Sequence, residues 1–405
     1  MNRNYTVLDG AMGTQLAMRL GPGADAQEAA LCNPDVIVQI HREYIEAGAQ
    51  IVYTATCDTN RFNTGRYPIE ETMPAAVRLA KEAGRDKGIP VALDIGSTGK
   101  LIGPYGDISR NRAYEAFAEL VRAGRGADII AVETIFDLKE LRVAVLAAME
   151  HSDLPVYGTM TFTDAGRSIT GCTLQCFALT AQSLGVQALG LNCSVGPAGM
   201  NNMIGVLAGW TDLPIICKPN AGMPDPETKK FNVGAKEFAD LCARAAESGA
   251  TLLGGCCGTD PGCIAELSER LRSTRFGRPR AADTSRLICS DSRAADAGAG
   301  EFTRAFSSAA AAEALRRRDY AALAETAVSL EGDALIFDID LLDSPEEAET
   351  LIEEIQCIVN TPAIFASEDE SMLSSALRAY TGRAGVMTSA GSASGAVRKY
   401  GAVII

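Results

Sequence analysis

Ala188-Leu189-Gly190-Leu191-Asn192-Cys193 is a short apolar run that ends in two polar residues. Runs of roughly four to eight apolar residues between turn signals are typical of strands buried on both faces. Seven similar runs occur before residue 260, and segments with apolar residues at helical spacing separate them. The eight predicted strands are Thr6–Asp9, Ile51–Thr56, Val91–Ile95, Ile129–Thr134, Val156–Phe162, Ala188–Cys193, Ile215–Pro219 and Thr251–Gly255.

Eight strand and helix units in about 270 residues predict an α/β fold, a (β/α)8 barrel of the TIM type, with a doubly wound open sheet as the alternative. The polar residues favour the barrel, because they fall at or just after the carboxyl ends of predicted strands. In a closed barrel those ends meet at one mouth. The residues concerned are Asp9, Thr56, Glu133, Asn192, Cys193, Cys256 and Cys257.

A second α/β segment follows the barrel. Residues 1–275 are predicted to form the barrel, 276–286 an arginine-rich linker, and 287–405 an incomplete, partial TIM-barrel-like domain. Its predicted strands are Leu287–Cys289, Ala334–Ile339, Ala363–Ala366, Gly385–Thr388 and Ala402–Ile405. An incomplete parallel sheet leaves an edge, which could dock a partner or a second copy of the chain.

Composition limits the class of protein. The net charge of −14 over 405 residues argues against nucleic acid and anionic membranes as partners, and no apolar run is long enough to span a bilayer. The first residues, Met1-Asn2-Arg3-Asn4-Tyr5, lead into a strand pattern without the apolar segment of a secretory signal. Twelve scattered cysteines resemble reduced thiols more than a disulfide framework, which predicts the cytoplasm.

Two adjacent cysteines in Gly254-Gly255-Cys256-Cys257-Gly258-Thr259, together with Cys193, are candidate metal ligands. Three thiolates leave one corner of a tetrahedral zinc open, as in catalytic sites. The flanking glycines allow the backbone to leave strand geometry, so that both adjacent sulfurs can face one metal. Two other interpretations stay open: the cysteines are small buried packing residues, or Cys256 and Cys257 form a redox disulfide.

Two carboxylates lie near the same predicted mouth. Asp9 precedes a glycine-rich turn, where it could cap a helix or face a substrate amine, and Glu133 lies in an otherwise apolar strand. Backbone amides near Gly10 and Ala11 could hold a substrate carboxylate. An amino acid with a thiol would satisfy all these groups, and zinc would lower the pKa of its thiol.

Four ordered motifs resemble the zinc-dependent homocysteine S-methyltransferases, and most closely the homocysteine module of cobalamin-dependent methionine synthases. They are Leu8-Asp9-Gly10-Ala11-Met12-Gly13-Thr14, Gly190-Leu191-Asn192-Cys193-Ser194-Val195-Gly196-Pro197, Lys218-Pro219-Asn220-Ala221-Gly222 and Gly254-Gly255-Cys256-Cys257-Gly258-Thr259. The resemblance covers residues 1 to about 275. It implies that Cys193, Cys256 and Cys257 bind zinc and that Asp9 and Glu133 hold the amine of homocysteine.

The resemblance also implies that Thr56 and Asn192 lie near the substrate. Thr54-Ala55-Thr56-Cys57-Asp58 departs from the family's Thr-Asn-Thr-Phe-Gly pattern, which alters the expected pocket there.

Residues 287–405 resemble, more weakly, the first part of the methyltetrahydrofolate-binding module of the same synthases. The polar residues expected around a pterin are largely replaced, and no cobalamin-binding module is present. The replacements are Asp291-Ser292-Arg293, Asp338-Ile339-Asp340, Ala366-Ser367-Glu368 and Thr388-Ser389-Ala390-Gly391. We therefore expect neither folate nor cobalamin to be bound by this chain.

The leading hypothesis is zinc-dependent methyl transfer to homocysteine, giving methionine. The expected donor is a separate methyl-corrinoid protein or a small sulfonium or betaine-type molecule. The alternatives are a methyltransferase that acts on another thiol and a non-catalytic scaffold that contains structural zinc.

Overall fold

The computed structural model describes residues 5–63, 67–228, 230–389 and 394–405, so the predicted start at residues 1–4 lies outside it. The chain divides into two units. The barrel unit comprises Met1–Leu101, Ile108–Thr170 and Val186–Ala281, and the C-terminal unit comprises Ile102–Asp107, Gly171–Gly185 and Ala282–Ile405. Among the described helices, none is both long and apolar enough to cross a membrane.

The barrel unit contains a sheet of eight parallel strands, in the order β1-β8-β7-β6-β5-β4-β3-β2. Each of the eight predicted strands is present, although the first two are short. The strands are β1 Thr6–Val7, β2 Val52–Tyr53, β3 Val91–Ile95, β4 Ile129–Ile135, β5 Val156–Met160, β6 Ala188–Asn192, β7 Ile215–Lys218 and β8 Ala250–Leu253. The α/β barrel-type fold is therefore confirmed.

A seam between β1 and β2 closes this sheet. Leu8 forms a parallel bridge with Ile51. The Gln50 amide donates to the Val7 carbonyl over 2.7 Å, and the Gln50 side-chain oxygen accepts from the Val7 amide over 2.9 Å. A doubly wound open sheet would have two free edges here, so the seam distinguishes the barrel from that alternative.

Helices alternate with these strands. They are α1 Met12–Leu20, α2 Ala26–Cys32, α3 Pro34–Glu46, α4 Ile69–Gly84, α5 Arg110–Ala123, α6 Leu138–His151, α7 Leu174–Ser183, α8 Pro197–Ala208, α9 Ala235–Glu247 and α10 Pro261–Leu271. By its contacts α7 belongs to the C-terminal unit. The core of the barrel unit is lined by buried side chains from several strands, including Leu8, Ala131 and Ile216.

The C-terminal unit has a sheet of five parallel strands in sequence order. They are β11 Phe302–Arg304, β12 Ala334–Asp338, β13 Ala363–Ala366, β14 Gly385–Met387 and β15 Val403–Ile404. Its helices are α11 Ala309–Arg317, α12 Tyr320–Val328, α13 Pro345–Ile355, α14 Glu370–Ala379 and α15 Ser394–Tyr400.

The prediction that Leu287–Cys289 opens this parallel sheet is wrong. This segment is β9, which pairs antiparallel with β10 Ala294–Asp296. A turn joins the two strands, in which the Ser290 amide donates to the Arg293 carbonyl over 2.9 Å. Such a tight turn reverses the chain and cannot lead to a parallel neighbour.

Candidate active site at the barrel mouth

A cavity of about 200 Å³ lies at the carboxyl ends of the barrel strands. Seven of the predicted site residues line it: Asp9, Gly10, Ala11, Glu133, Cys193, Cys256 and Cys257. The other two, Thr56 and Asn192, are buried and are not part of its lining. Residues distant in sequence therefore share one cavity.

The backbone leaves strand geometry where the cysteines lie. Strand β8 ends at Leu253, and the Cys256 amide donates to the Pro219 carbonyl over 2.9 Å. Gly258 has a φ of 80°, and Cys193, just after β6, has a φ of 59°. Left-handed backbone is uncommon for a residue other than glycine, and such residues cluster at functional sites.

The sulfur atoms of Cys193, Cys256 and Cys257 all lie within 4.8 Å of one another. The Cys193 and Cys257 sulfurs are 3.9 Å apart. Ligands at the usual zinc–sulfur distance of about 2.3 Å in a tetrahedron stand about 3.8 Å apart. The three thiols therefore fit zinc as a donor set.

Hydrogen bonds between the three thiols shift their pKa values in opposite directions. Hydrogen bonds from the Cys256 and Cys257 thiols lower the pKa of Cys193 to about 3. The pKa of Cys256 is raised well above the usual value. The largest cause is the hydrogen bond to Cys193, followed by the hydrogen bond to Cys257 and by burial. This arrangement favours a thiolate at Cys193.

Asn192 connects this cluster to neighbouring strands. Its side-chain oxygen accepts from the Thr134 amide and from the Thr159 hydroxyl, each over 2.8 Å. Its amide nitrogen donates to the Thr134 hydroxyl over 2.7 Å and lies 4.0 Å from the Cys256 sulfur. Asn192 therefore positions Thr134, whose φ is 60°, and directs a donor toward a candidate ligand.

The cavity lining also contains acidic side chains and a buried lysine. The Lys218 ammonium lies 2.8 Å from the Glu133 carboxylate and 3.9 Å from Asp9. It also lies 3.5 Å from the centre of the Tyr53 ring. Burial lowers the pKa of Lys218, but Glu133, Tyr53 and Asp9 outweigh burial and raise it well above normal. Lys218 is thus a fixed cation of the site.

Asp94 is a third carboxylate in the cavity. Its side chain is buried, and one carboxylate oxygen has no hydrogen-bond partner among the described residues. Burial, followed by the charge of Glu133, raises the pKa of Asp94 well above normal. The pKa of Asp9 is raised to about 7, mainly by burial and against the effect of Lys218. The wall therefore carries three carboxylates against one lysine.

The amino end of α1 forms another part of the lining. Met12, Gly13 and Thr14 line the cavity, and no side chain caps the helix. The Ala11 amide, which was predicted to face the substrate, donates instead to the Thr259 hydroxyl over 3.1 Å. The first-turn amides of α1 are therefore the ones suited to an anion.

Thr56 is buried, and its hydroxyl bonds to neighbouring protein groups. Its hydroxyl donates to the Asp94 carbonyl over 2.6 Å and lies 2.6 Å from the Thr54 hydroxyl. Thr54, rather than Thr56, lines the cavity. A substrate contact by Thr56 stays a prediction.

The sequence contained signals for the two residues that were missed. Lys218 ends the apolar run Ile215-Ile216-Cys217, and Asp94 lies within Val91-Ala92-Leu93 and Ile95. A charged residue in an apolar strand was the reason for choosing Glu133, and the same rule would have selected both.

The family model for homocysteine S-methyltransferases matches residues 6–271 of this chain. The chain belongs to the homocysteine S-methyltransferase family. The cavity just described lies within the matched residues and is the candidate active site. The resemblance read from the four motifs is thereby confirmed.

Relatives in mycobacteria agree with this family. Methionine synthase of Mycobacterium tuberculosis is 33% identical over 293 residues, which cover 66% of this chain and 25% of that protein. Methionine synthase of Mycobacterium leprae is 33% identical over 285 residues, covering 64% of this chain and 24% of that protein. The chain thus spans about a quarter of the length of these relatives.

The fold resembles the homocysteine methyltransferase MmuM from Escherichia coli. Its metallated form has a TM-score of 0.58 and 26% identity, over 66% of this chain and 97% of that chain. The apo form gives a TM-score of 0.54 at 26% identity.

Two carboxylates near the carboxyl ends of the C-terminal strands bond to neighbouring serines. The Glu368 carboxylate accepts from the Ser389 amide and hydroxyl over 2.7 and 2.6 Å, and the Ser367 hydroxyl donates to Asp340. Ala390 and Gly391, named above among the altered pterin residues, lie outside the described residues.

Proposed function

We propose that this chain transfers a methyl group to the thiol of homocysteine, giving methionine, with zinc bound by Cys193, Cys256 and Cys257. One observation carries this proposal: three sulfurs within 4.8 Å of one another face a cavity of about 200 Å³. Acidic side chains and the amino end of a helix also line that cavity. This arrangement is complementary to a zwitterionic amino acid with a thiol.

The chain's residues would orient the acceptor at both ends. The acidic wall with Asp9 and Glu133 favours the ammonium group, and the amino end of α1 favours the carboxylate. The sulfur of the acceptor then faces the three cysteines. In the transfer, sulfur forms a bond to the methyl carbon, and the bond from methyl to donor breaks with its electron pair leaving on the donor.

Bound zinc would supply a thiolate at neutral pH by lowering the pKa of the acceptor thiol. Asn192 would support that state, because its amide group points at the Cys256 sulfur. The existence of a metallated form of the Escherichia coli relative is consistent with this proposal.

The donor is proposed separately, because the chain spans only a quarter of the mycobacterial synthases. We favour a separate methyl-corrinoid protein and, after it, a small sulfonium or betaine-type donor. We do not expect the C-terminal unit to bind folate, since Glu368 and Asp340 are already bonded to neighbouring serines. Tight binding of methyltetrahydrofolate to the purified chain would contradict this expectation.

Zinc content and sulfur coordination test the proposal directly. We expect one zinc per chain with three sulfur ligands, and a fourth sulfur when homocysteine is added. X-ray absorption at the zinc edge measures both. A closed site that ignores homocysteine would support a scaffold instead, and a fourth sulfur from another thiol but not from homocysteine would indicate a different acceptor.

Methionine formation with methylcobalamin, methyltetrahydrofolate, S-methylmethionine and betaine would identify the class of donor. A cytoplasmic location and self-association through the C-terminal sheet stay predictions, which fractionation and measurement of the molar mass in solution would test.

A further inference from the structure

Lys218 lies next to two of the three buried carboxylates that line the cavity. Its ammonium lies 2.8 Å from Glu133 and 3.9 Å from Asp9, and its side chain is only 4% exposed. These are the two carboxylates that the family resemblance assigns to the substrate amine. In this chain both already face a buried cation.

Among the described residues, Asp94 is outside ion-pair distance of Lys218, although the charge of Lys218 still acts on it. It lines the cavity, it is 6% exposed, and one of its carboxylate oxygens makes no hydrogen bond within the described residues. No ion pair to Asp94 occurs among those residues either. Burial and the charge of Glu133 raise the pKa of Asp94 well above normal, so a cation that enters the cavity would offset the cost of ionising it.

The geometry allows one nitrogen to contact Asp94 and Glu133 together. A carboxylate oxygen of each, together with the Cys57 sulfur, lies within 4.8 Å of the others. An ammonium nitrogen that donates to two oxygens at about 2.8 Å bridges atoms up to about 5 Å apart. The backbone around Asp94 is held in place, because its amide donates to the Thr54 hydroxyl over 2.9 Å and its carbonyl accepts from Thr56.

We propose that Asp94 is the residue that selects an amine-bearing thiol, by binding the α-ammonium group of the acceptor between its own carboxylate and that of Glu133. This inference rests on the proposed function, since it concerns the acceptor of the same reaction. Asp58 also lines the cavity, but it is exposed, so solvent screens its charge. Lys218 lies against Glu133 and Asp9, and an entering ammonium group offsets the cost of ionising Asp94, which a thiol without an amine cannot do.

The test compares homocysteine with 4-mercaptobutanoate, which is homocysteine without its amino group. Calorimetric titration of the zinc-loaded chain gives both dissociation constants for the wild type and for Asp94→Asn. We expect the wild type to prefer homocysteine at least tenfold, because a hydrogen bond to a charged group contributes about 1.5–3 kcal/mol, or about 10- to 100-fold. In Asp94→Asn we expect the two thiols to bind within about threefold of each other.

Asp86→Asn is the matched control, because Asp86 is exposed and lies outside the cavity. The substitution removes a carboxylate in the same way as Asp94→Asn. Each preference is a ratio measured on one preparation, so a partly unfolded sample does not alter it. Asp94→Ser replaces Asp94→Asn if the latter does not fold, as judged by circular dichroism.

Different results separate the two proposals. An Asp94→Asn variant that keeps the preference of the wild type overturns the role of Asp94 and leaves methyl transfer standing. A wild-type protein that binds both thiols equally would also overturn the role of Asp94 and leave methyl transfer standing. A wild type that binds neither thiol overturns the proposed function as well. A second zinc per chain that Asp94→Asn loses would also overturn the inference, because Cys57, Asp94 and Glu133 would then be metal ligands.

Discussion

Replacing Lys218 with methionine tests whether the buried lysine holds the acidic wall together. Methionine has a similar length but no charge. At 2.8 Å, with an effective dielectric constant of about 20, the attraction between Lys218 and Glu133 is about 6 kcal/mol. Desolvation offsets much of this attraction, and removing one partner of a buried pair costs about 3–5 kcal/mol. We expect Lys218→Met to lower the free energy of unfolding by that amount at pH 7.5.

Urea denaturation followed by circular dichroism measures this loss. The double variant Lys218→Met with Glu133→Gln should recover at least half of it, because no unpaired charge is then left at Glu133. Lys81→Met is the matched control: the Lys81–Asp128 pair is 37% and 42% exposed, so its loss should cost less than about 1 kcal/mol. A cost below about 1 kcal/mol for Lys218→Met, or an equal cost in the Glu133→Gln background, would refute the reasoning.

Three further predictions concern the metal, its support and the pH dependence. Cys257→Ser should reduce bound zinc well below one per chain by elemental analysis, whereas Cys32→Ser, at an exposed cysteine outside the cluster, should leave it unchanged; equal zinc in both would contradict the assignment. Asn192→Ala should weaken zinc affinity about 10- to 100-fold in a chelator competition, as loss of a residue that supports ligands does, and an unchanged affinity would limit Asn192 to holding strands together. Burial lowers the pKa of His41 to about 4 from 6.5, so the unfolded chain binds this proton first as the pH falls, and stability should drop by about 3 kcal/mol between pH 6.5 and 4. His41→Leu should lack that part of the drop in urea titrations at several pH values, and an identical pH profile would show that His41 does not cause it.

The alternation of short apolar runs with helical patterns was sufficient to predict the barrel, because each buried strand needs little more than its own residues to be recognised. The cysteine cluster was predictable for a related reason: Cys193 and Cys256 follow strand ends, and barrel closure determines where such ends meet. The pairing of Lys218 with Glu133 was not, since it depends on which side chains face each other across the closed barrel. Sequence position alone does not give that.

The error at Leu287–Cys289 has a different origin. Three apolar residues do not specify a neighbour, and the antiparallel pairing was determined by the turn at residues 290–293. The assignment of α7 to the C-terminal unit could not be predicted from the sequence either. The pattern of a helix indicates which face is apolar but not which residues pack against that face.

A residue of the cavity lining, Asp9, also contributes to the contact between β1 and β2. Beyond Leu8 and Ile51, the next contact across this seam is made by the carboxylate of Asp9, which accepts the Tyr53 amide over 2.7 Å. A group that lines the cavity thus takes the place of a ladder hydrogen bond between two very short strands. An acceptor that keeps Asp9 ionised strengthens this contact, so occupancy of the cavity should slow hydrogen exchange at the Tyr53 amide. Occupancy of the cavity and closure of the barrel between the first and second strands are then thermodynamically linked through Asp9.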